Sequence, residues 1–546
     1  MKKLYWGVGL LVAALLLSCA KKEASAGDYV SAAPVLQMQI ADESLRYMPL
    51  SRTALPDAEL RGPLTIDDYA RQEQFNTSEF DNIVDNPFLR VKDNPLSTFS
   101  IDVDTAGYSI VRNALEGSRL PPRSAVRIEE LINYFDYNYD PPTDDRPFAV
   151  RAEVAECPWN PDHNLARIAI KGKEFPQSQR TPVNLVFLVD VSGSMEGPNR
   201  LGLLKSSLRL LINELTGQDR VALCVYAGAA GTVLPPTNCD DKQKILAALN
   251  KLEAGGSTAG GAGIQLAYSL AQQHFDPRAT NRVILCTDGD FNVGITNRSD
   301  LVDLIEEKAK SGVYLTVLGF GMYNYNDGTL KQLATKGDGN YAFIDTEAEA
   351  RKVLVDQLSG TLVTIADDVK IQVEFNPATV GAYRLIGYEN RILRAEDFNN
   401  DAIDAGDIGA GHTVTAFYEL IPVGAEANAL PDIDPLKYSP VAPQSGAFFD
   451  ELLTVKVRYK EPQASSSALI SFPVPASSIR SAAAVSADFR FAAAVAAFGM
   501  LLRESPYKGN ATFDSVRQSA QASIGSDPYG YRAGFLKLVD QAKKTR

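Results

Sequence analysis

Val183-Asn184-Leu185-Val186-Phe187-Leu188-Val189-Asp190-Val191-Ser192-Gly193-Ser194 is the stretch that decides the fold. Its first seven residues form a nearly continuous apolar run. Leucines at 201, 204, 208, 211 and 215 then recur at helical spacing. An apolar run of that length ahead of an amphipathic helix reads as a parallel strand buried on both faces. The turn after such a strand lies at the carboxyl edge of the sheet, where open α/β folds bind ligands. Here the turn offers one carboxylate and two hydroxyls at alternate positions: Asp190, Ser192 and Ser194. Short oxygen side chains suit hard cations such as Mg²⁺, Mn²⁺ or Ca²⁺ rather than zinc or copper.

Two later segments extend this set. Gly255-Gly256-Ser257-Thr258 opens another helical stretch and supplies the hydroxyl of Thr258. Val283-Ile284-Leu285-Cys286-Thr287-Asp288-Gly289 is a second buried-strand pattern ending in a carboxylate. A Ser/Gly-rich turn capped by Asp and Thr would use the same residue types, but it would not require all three pieces in this order. D-x-S-x-S, then a lone Thr, then T-D-G resembles the metal-ion-dependent adhesion site of von Willebrand factor type A domains. The resemblance implies a divalent cation, Mg²⁺ first with Mn²⁺ or Ca²⁺ as alternatives, held by Asp190, Ser192, Ser194, Thr258 and Asp288. It also implies a sheet order of 3-2-1-4-5-6 and an open coordination position. That position would take a Glu or Asp carboxylate from a partner protein, because neutral hydroxyls leave the ion's charge under-compensated.

Around this centre, strands alternate with helices from 181 to 362, as in a doubly wound, mostly parallel α/β sheet of Rossmann-like or von Willebrand A type. The full division is a signal peptide at 1–18, an acylated tether at 19–87 and an N-terminal α+β flank at 88–180. After the α/β domain come a β-rich, sandwich-like region at 363–475 and a C-terminal helical segment at 476–546. Several domains are expected in 546 residues, since one core rarely serves more than about 250–300. Pro95-Leu96-Ser97-Thr98-Phe99-Ser100-Ile101-Asp102-Val103-Asp104-Thr105 and Val126-Arg127-Ile128-Glu129-Glu130-Leu131-Ile132-Asn133-Tyr134-Phe135 resemble the N-terminal flank of bacterial YfbK-type von Willebrand A lipoproteins. Leu385-Ile386-Gly387-Tyr388-Glu389-Asn390-Arg391 is similar to the C-terminal flank of the same family.

At the N-terminus, Lys2 and Lys3 precede an apolar segment ending at Leu17, too short for a comfortable membrane span. Leu16-Leu17-Ser18-Cys19 resembles a bacterial lipobox, which implies cleavage before Cys19 and acylation of that cysteine. A lipid-anchored protein of the bacterial cell envelope is therefore expected, with the membrane reached through the lipid. Net charge is -13, which disfavours nucleic acid as a partner. Cys224 and Cys286 sit inside apolar strand patterns; the sheet order that the resemblance implies puts those strands on either side of the first one, about 10 Å apart, too far for a disulfide. Whether Cys157 and Cys239 pair is left open.

Three weaker motifs complete the reading. Asp102 and Asp104 approach an aspartyl-phosphate motif, but Ala106 stands where threonine is needed, so the aspartates are expected to cap the next helix. Asp397, Asn399 and Asp401 have the spacing of a calcium loop's first ligands, but Ala402 and Ile408 replace its glycine and glutamate, which favours a polar hairpin loop. The 488–502 stretch, apolar around much of its surface, is expected to be a core helix on the β-rich region, since a span needs about 20 residues.

The expected function is a membrane-anchored, metal-dependent protein-binding module. The alternatives are an envelope scaffold with a structural metal or a metal-dependent hydrolase. No enzyme is expected. The three metal-site loops carry no histidine and no general base beyond their own aspartates. G-x-S-x-G, H-E-x-x-H and a Walker P-loop are all missing.

Overall fold

A computed structural model describes residues 83–101, 104–175, 180–256, 260–289, 298–321, 327–357, 363–403, 405–425, 450–462, 464 and 466–546. All of them belong to the compact unit Asp67–Arg546. The signal peptide, most of the tether with Cys19, and Thr258 and Asp102 lie outside the described residues.

The central sheet is built from β1 (Val183–Asp190), β2 (Arg220–Tyr226), β3 (Ala230–Asn238), β4 (Thr280–Thr287), β5 (Val313–Phe320) and β6 (Tyr341–Ile344). Its order is β3-β2-β1-β4-β5-β6, as the resemblance implies. All pairings are parallel except β2 with β3. Every residue of β1 is buried. Leu185, Phe187 and Val189 face a cluster containing Leu204, Leu208 and Leu211. Val186 and Leu188 face the opposite cluster, with Ile264, Ala267 and Tyr268. Period-two alternation thus feeds two cores, which is why the strand reads as one unbroken apolar run. Cys224 and Cys286 lie on β2 and β4, either side of β1, and Cys157, Cys224, Cys239 and Cys286 are all buried free thiols.

The helix after β1 begins later than its leucines suggest. A π-helical turn, Pro198–Gly202, precedes the α-helix Leu203–Glu214. Leu201 therefore lies in the π turn and Leu215 just past the last helical turn.

The flanks form a sandwich. Its first sheet runs Leu89–Arg90, Val380–Ile386, Thr413–Pro422, Asn164–Gly172, Phe148–Glu156 and Ile479–Arg480. The second runs Ile392–Leu393, Leu96–Ser100, Thr364–Phe375, Glu451–Lys460 and Ser467–Pro475. Residues from both sides of the central domain therefore share each sheet: Ile371 pairs with Phe99, and Phe417 with Arg167. Phe99, Val150, Ile168, Ile371, Tyr418 and Val457 fill the common core. The helix Ala487–Arg503 is buried along almost its whole length. It packs with Phe417 and Ile386 of the first sheet, with Ile128 and Leu131, and with Phe535 of the helix Tyr531–Thr545. It is a core helix, as its composition suggests.

Two details depart from the sequence reading. The spacing over 125–135 predicts one helix, and the structure holds instead a 3₁₀ turn at Arg123–Ala125 and the α-helix Ile128–Asn133. The helix Ala106–Glu116 has no side-chain bond at its N-cap, Thr105. Asp104 instead accepts the Tyr341 N–H at 3.1 Å and meets Arg391 at 3.2 Å and Lys331 at 3.4 Å. Those partners arrive from distant segments and outcompete a local cap. In the 397–401 loop, Asp397 binds Arg394, Asn399 accepts from Arg458, and Asp401 accepts from Ser467. The three side chains serve separate protein partners.

Buried ion pairs join the central domain to its flanks. Arg112 donates to Asp345 and Glu349, and Tyr134 donates to the same Glu349 at 2.8 Å. Arg127 pairs with Asp327 at 2.7 Å and with Glu130. Burial pushes the Glu130 carboxyl up, but Arg127 and Lys331 outweigh it and hold the pKa down to about 2. Removing one member of such a set would strand a buried charge.

Candidate metal centre

Asp190 ends β1 and is fully buried. Its Oδ1 accepts the Ser192 N–H at 2.8 Å, which folds the turn back on its own carboxylate. Its Oδ2 accepts two hydroxyls, Tyr226 at 3.0 Å and Thr287 at 3.2 Å. The Ser192 and Ser194 hydroxyls are 2.9 Å apart. Ser192 is buried, whereas Ser194 and Gly193 reach the surface, so the cluster opens on that side.

The Gly255-Gly256 turn is tied to this loop. Gly193 N–H donates to the Gly256 carbonyl at 3.1 Å, and Gly255 N–H donates to the Val191 carbonyl at 2.7 Å. Gly256 has φ 96, a left-handed conformation that glycine adopts without strain. The helix that follows, Gly260–Gln273, lies close to the sheet: a Cβ on Gly263 would stand 2.8 Å from the Tyr226 Cβ. Thr258 lies between these two described anchors and is itself outside the described residues.

Asp288 follows β4 and is 3% exposed. Arg200, from the π turn, places Nε 3.9 Å from Asp288 Oδ2 and donates to the Ser194 carbonyl. The structure thus brings Asp190, Ser192, Ser194 and Asp288 to one rim of the sheet. Sequence reasoning missed three contributors. Tyr226 ends β2 directly opposite Asp190 in the register, so lateral alignment of the two strand ends would have found it. Thr287 was visible inside T-D-G but had no assigned role. Arg200 comes from a π turn that leaves no periodic signal.

The donor set fits a hard divalent ion: two carboxylates and neighbouring hydroxyls, with no soft ligand among them. Burial raises the Asp190 pKa above its usual range and the nearby Asp288 charge adds to the rise, against the hydrogen bonds from Ser192 and Tyr226. The part of that rise due to Asp288 reflects a negative potential at the rim that favours a cation, whereas the part due to burial does not.

Comparison with known proteins places the chain. Uncharacterized protein YfbK of Escherichia coli (strain K12) is 44% identical over 476 residues, which cover 85% of this chain and 81% of that protein. The chain belongs to the YfbK family. In this YfbK-family chain the von Willebrand factor type A domain matches residues 184–357, the central sheet and its helices from the second residue of β1 onward. A family described as von Willebrand factor matches 74–167, and Uncharacterized protein YfbK, C-terminal, matches 360–545. The human inter-alpha-trypsin inhibitor heavy chain H4 is 28% identical over 187 residues, 32% of this chain and 20% of that protein. Among solved structures, von Willebrand factor type A from Catenulispora acidiphila is 16% identical, with a TM-score of 0.40 over 71% of this chain and 89% of that one. BatB from Bacteroides thetaiotaomicron is 25% identical, with a TM-score of 0.28 over 32% and 97%. The family match over 184–357, together with the sheet order β3-β2-β1-β4-β5-β6, makes the fold class that of a von Willebrand factor type A domain in mixed α/β surroundings. Among the described residues, no helix is long and apolar enough to cross a membrane.

Proposed function

We propose that this YfbK-family chain is a lipid-anchored, metal-dependent protein-binding module of the cell envelope. The observation that carries the proposal is the convergence of Asp190, Ser192, Ser194 and Asp288 on one sheet rim, with the Ser194 side open to solvent. A divalent ion bound there, Mg²⁺ before Mn²⁺ or Ca²⁺, would supply an electrophilic corner for a Glu or Asp of a partner. Ser192, Ser194 and Thr258 would hold it through neutral hydroxyls, and Asp190 and Asp288 through bridging water. Tyr226 and Thr287 donate to the Asp190 carboxylate and hold its orientation. Cys19 would carry the lipid and 20–87 would act as the tether.

Crosslinking in intact cells, with and without chelator, tests the proposal. A partner captured by the wild type and lost with EDTA, with Asp190→Ala and with Ser192→Ala, is expected. Capture that survives chelation, while thermal stability falls, would reassign the ion to a structural scaffold. Ester, peptide or phosphoester turnover that disappears in Asp190→Ala would make the protein a hydrolase instead. For the anchor, metabolic labelling with a fatty acid should mark the wild type and leave Cys19→Ser unlabelled. Equal label on both would remove Cys19 from the proposal.

A further inference from the structure

Buried arginines in this fold come with carboxylates. Arg127 has Asp327 and Glu130, Arg384 has Glu419 at 2.8 Å, and Arg532 has Asp488 at 2.7 Å. Arg282 does not. It lies near the start of β4 and is 2% exposed. Its Nη1 donates to the Thr316 hydroxyl at 2.7 Å, and its guanidinium carbon stands 5.5 Å from the Tyr314 ring centre. Among the described residues it forms no ion pair, and its Nε has no hydrogen-bond partner. Burial lowers its pKa from the ordinary arginine value, and the help from Tyr314, Asp407 and Asp338 does not make up the loss. A buried, unpaired guanidinium is costly, and a fold that needed only packing would place an apolar side chain there.

Arg282 lines a cavity of about 380 Å³ between the central sheet and the sandwich. The volume lies in the range of small-molecule sites. Ile284, Leu318, Ala342, Val353 and Leu354 supply an apolar wall. The carboxylates that also line it are engaged elsewhere: Asp104 by Arg391 and Lys331, Asp136 by Lys352, Glu174 by Lys171, and Asp356 by the Tyr531 hydroxyl. Arg282 also borders a smaller cavity of about 210 Å³, shared with Asp338 and Asp407.

We propose that the larger cavity is a binding site for a small monocarboxylate with an apolar body, whose carboxylate pairs with Arg282 and whose body lies against Ile284, Leu318 and Val353. A planar guanidinium is matched to a planar carboxylate. Asp338 and Asp407 nearby disfavour a multiply charged anion such as phosphate, and the apolar wall disfavours a fully polar ligand. Asp288 stands at the opposite end of the same strand, about 20 Å away at 3.3 Å per residue, so this site is separate from the metal rim.

The full chain, kept in chelator so that the metal rim plays no part, would be titrated by calorimetry with hexanoate, inorganic phosphate and hexylamine. Saturable binding of hexanoate, stronger than that of the other two, is expected. Arg282→Met should weaken it at least about tenfold, the scale of one charge-assisted contact, and should leave the melting temperature equal or higher, since an unpaired buried charge is gone. Arg282→Lys should fall between the two. Preference for phosphate or hexylamine, absence of saturable hexanoate binding, or unchanged binding by Arg282→Met would overturn the proposal. Should Arg282→Met not fold, wild-type crystals soaked in 6-bromohexanoate decide. Bromine in the cavity with the carboxylate on Arg282 supports the site, and bromine elsewhere or none refutes it.

Discussion

Asp338 gives the most quantitative expectation. It sits at φ 46 just after the helix Asp327–Lys336, half-buried, where burial and then the charges of Asp368 and Asp367 raise its pKa from 3.8 to about 6. Arg282 opposes the rise without cancelling it. A carboxyl whose folded pKa is raised holds its proton more tightly in the native state than in the unfolded chain. Below pH about 4 both states are protonated and the group costs nothing. Between about 4 and 6 the unfolded state ionises first, so stability is lost as pH rises, and above about 6 the loss is complete. A shift of this size corresponds to at most about 3 kcal/mol, with solvent screening at a half-buried site reducing it. Asp338→Asn keeps the shape and tolerates the left-handed backbone. It should therefore match the wild type near pH 4 and exceed it by about 1–3 kcal/mol at pH 7.5. Urea unfolding of both proteins from pH 4 to 8, in chelator, measures the difference. An advantage of Asn that does not depend on pH, or a loss of stability at pH 7.5, would refute the electrostatic reasoning.

Arg127→Met should cost about 3–5 kcal/mol in urea unfolding, because it leaves Asp327 and Glu130 buried without their guanidinium; an unchanged midpoint would mean that the network holds without it. Tyr226→Phe removes one hydroxyl from the Asp190 carboxylate; Mn²⁺ affinity should fall about 10-fold or more, as for other supports of a ligand, with the fold intact by circular dichroism, and unchanged affinity would deny Tyr226 that role. Phe491→Ala empties a site in contact with Phe135 and Phe535 and should cost about 3–5 kcal/mol in the same unfolding assay; a loss below about 1 kcal/mol would place the helix Ala487–Arg503 outside the main core.

The parts of the fold that were legible in the sequence are those encoded locally. β1 announces itself because both of its faces are buried, and the D-x-S-x-S turn because its donors are adjacent in the chain. The sheet order came from family resemblance, since no local pattern states which strand lies beside which. The sandwich was half legible. The β-rich character of 363–475 was legible, but the pairing of Thr364–Phe375 with Leu96–Ser100 spans the entire central domain, and sequence periodicity carries no information about partners at that separation. The same limit hid Arg127 and Arg200. A charged residue looks solvated until the element that buries it is known. Asp104 was misread for the opposite reason: a plausible local role, capping, lost to stronger partners from far along the chain.

The most direct test of the metal centre is a Mn²⁺ titration followed by electron paramagnetic resonance, on the wild type and on Asp190→Ala, Ser192→Ala and Asp288→Ala. One bound ion per chain in the wild type, weakened or lost in each variant while the fold persists, is the expected result. A wild-type protein that leaves Mn²⁺ free in solution, or variants that bind it as tightly as the wild type, would contradict the assignment of those side chains to a cation.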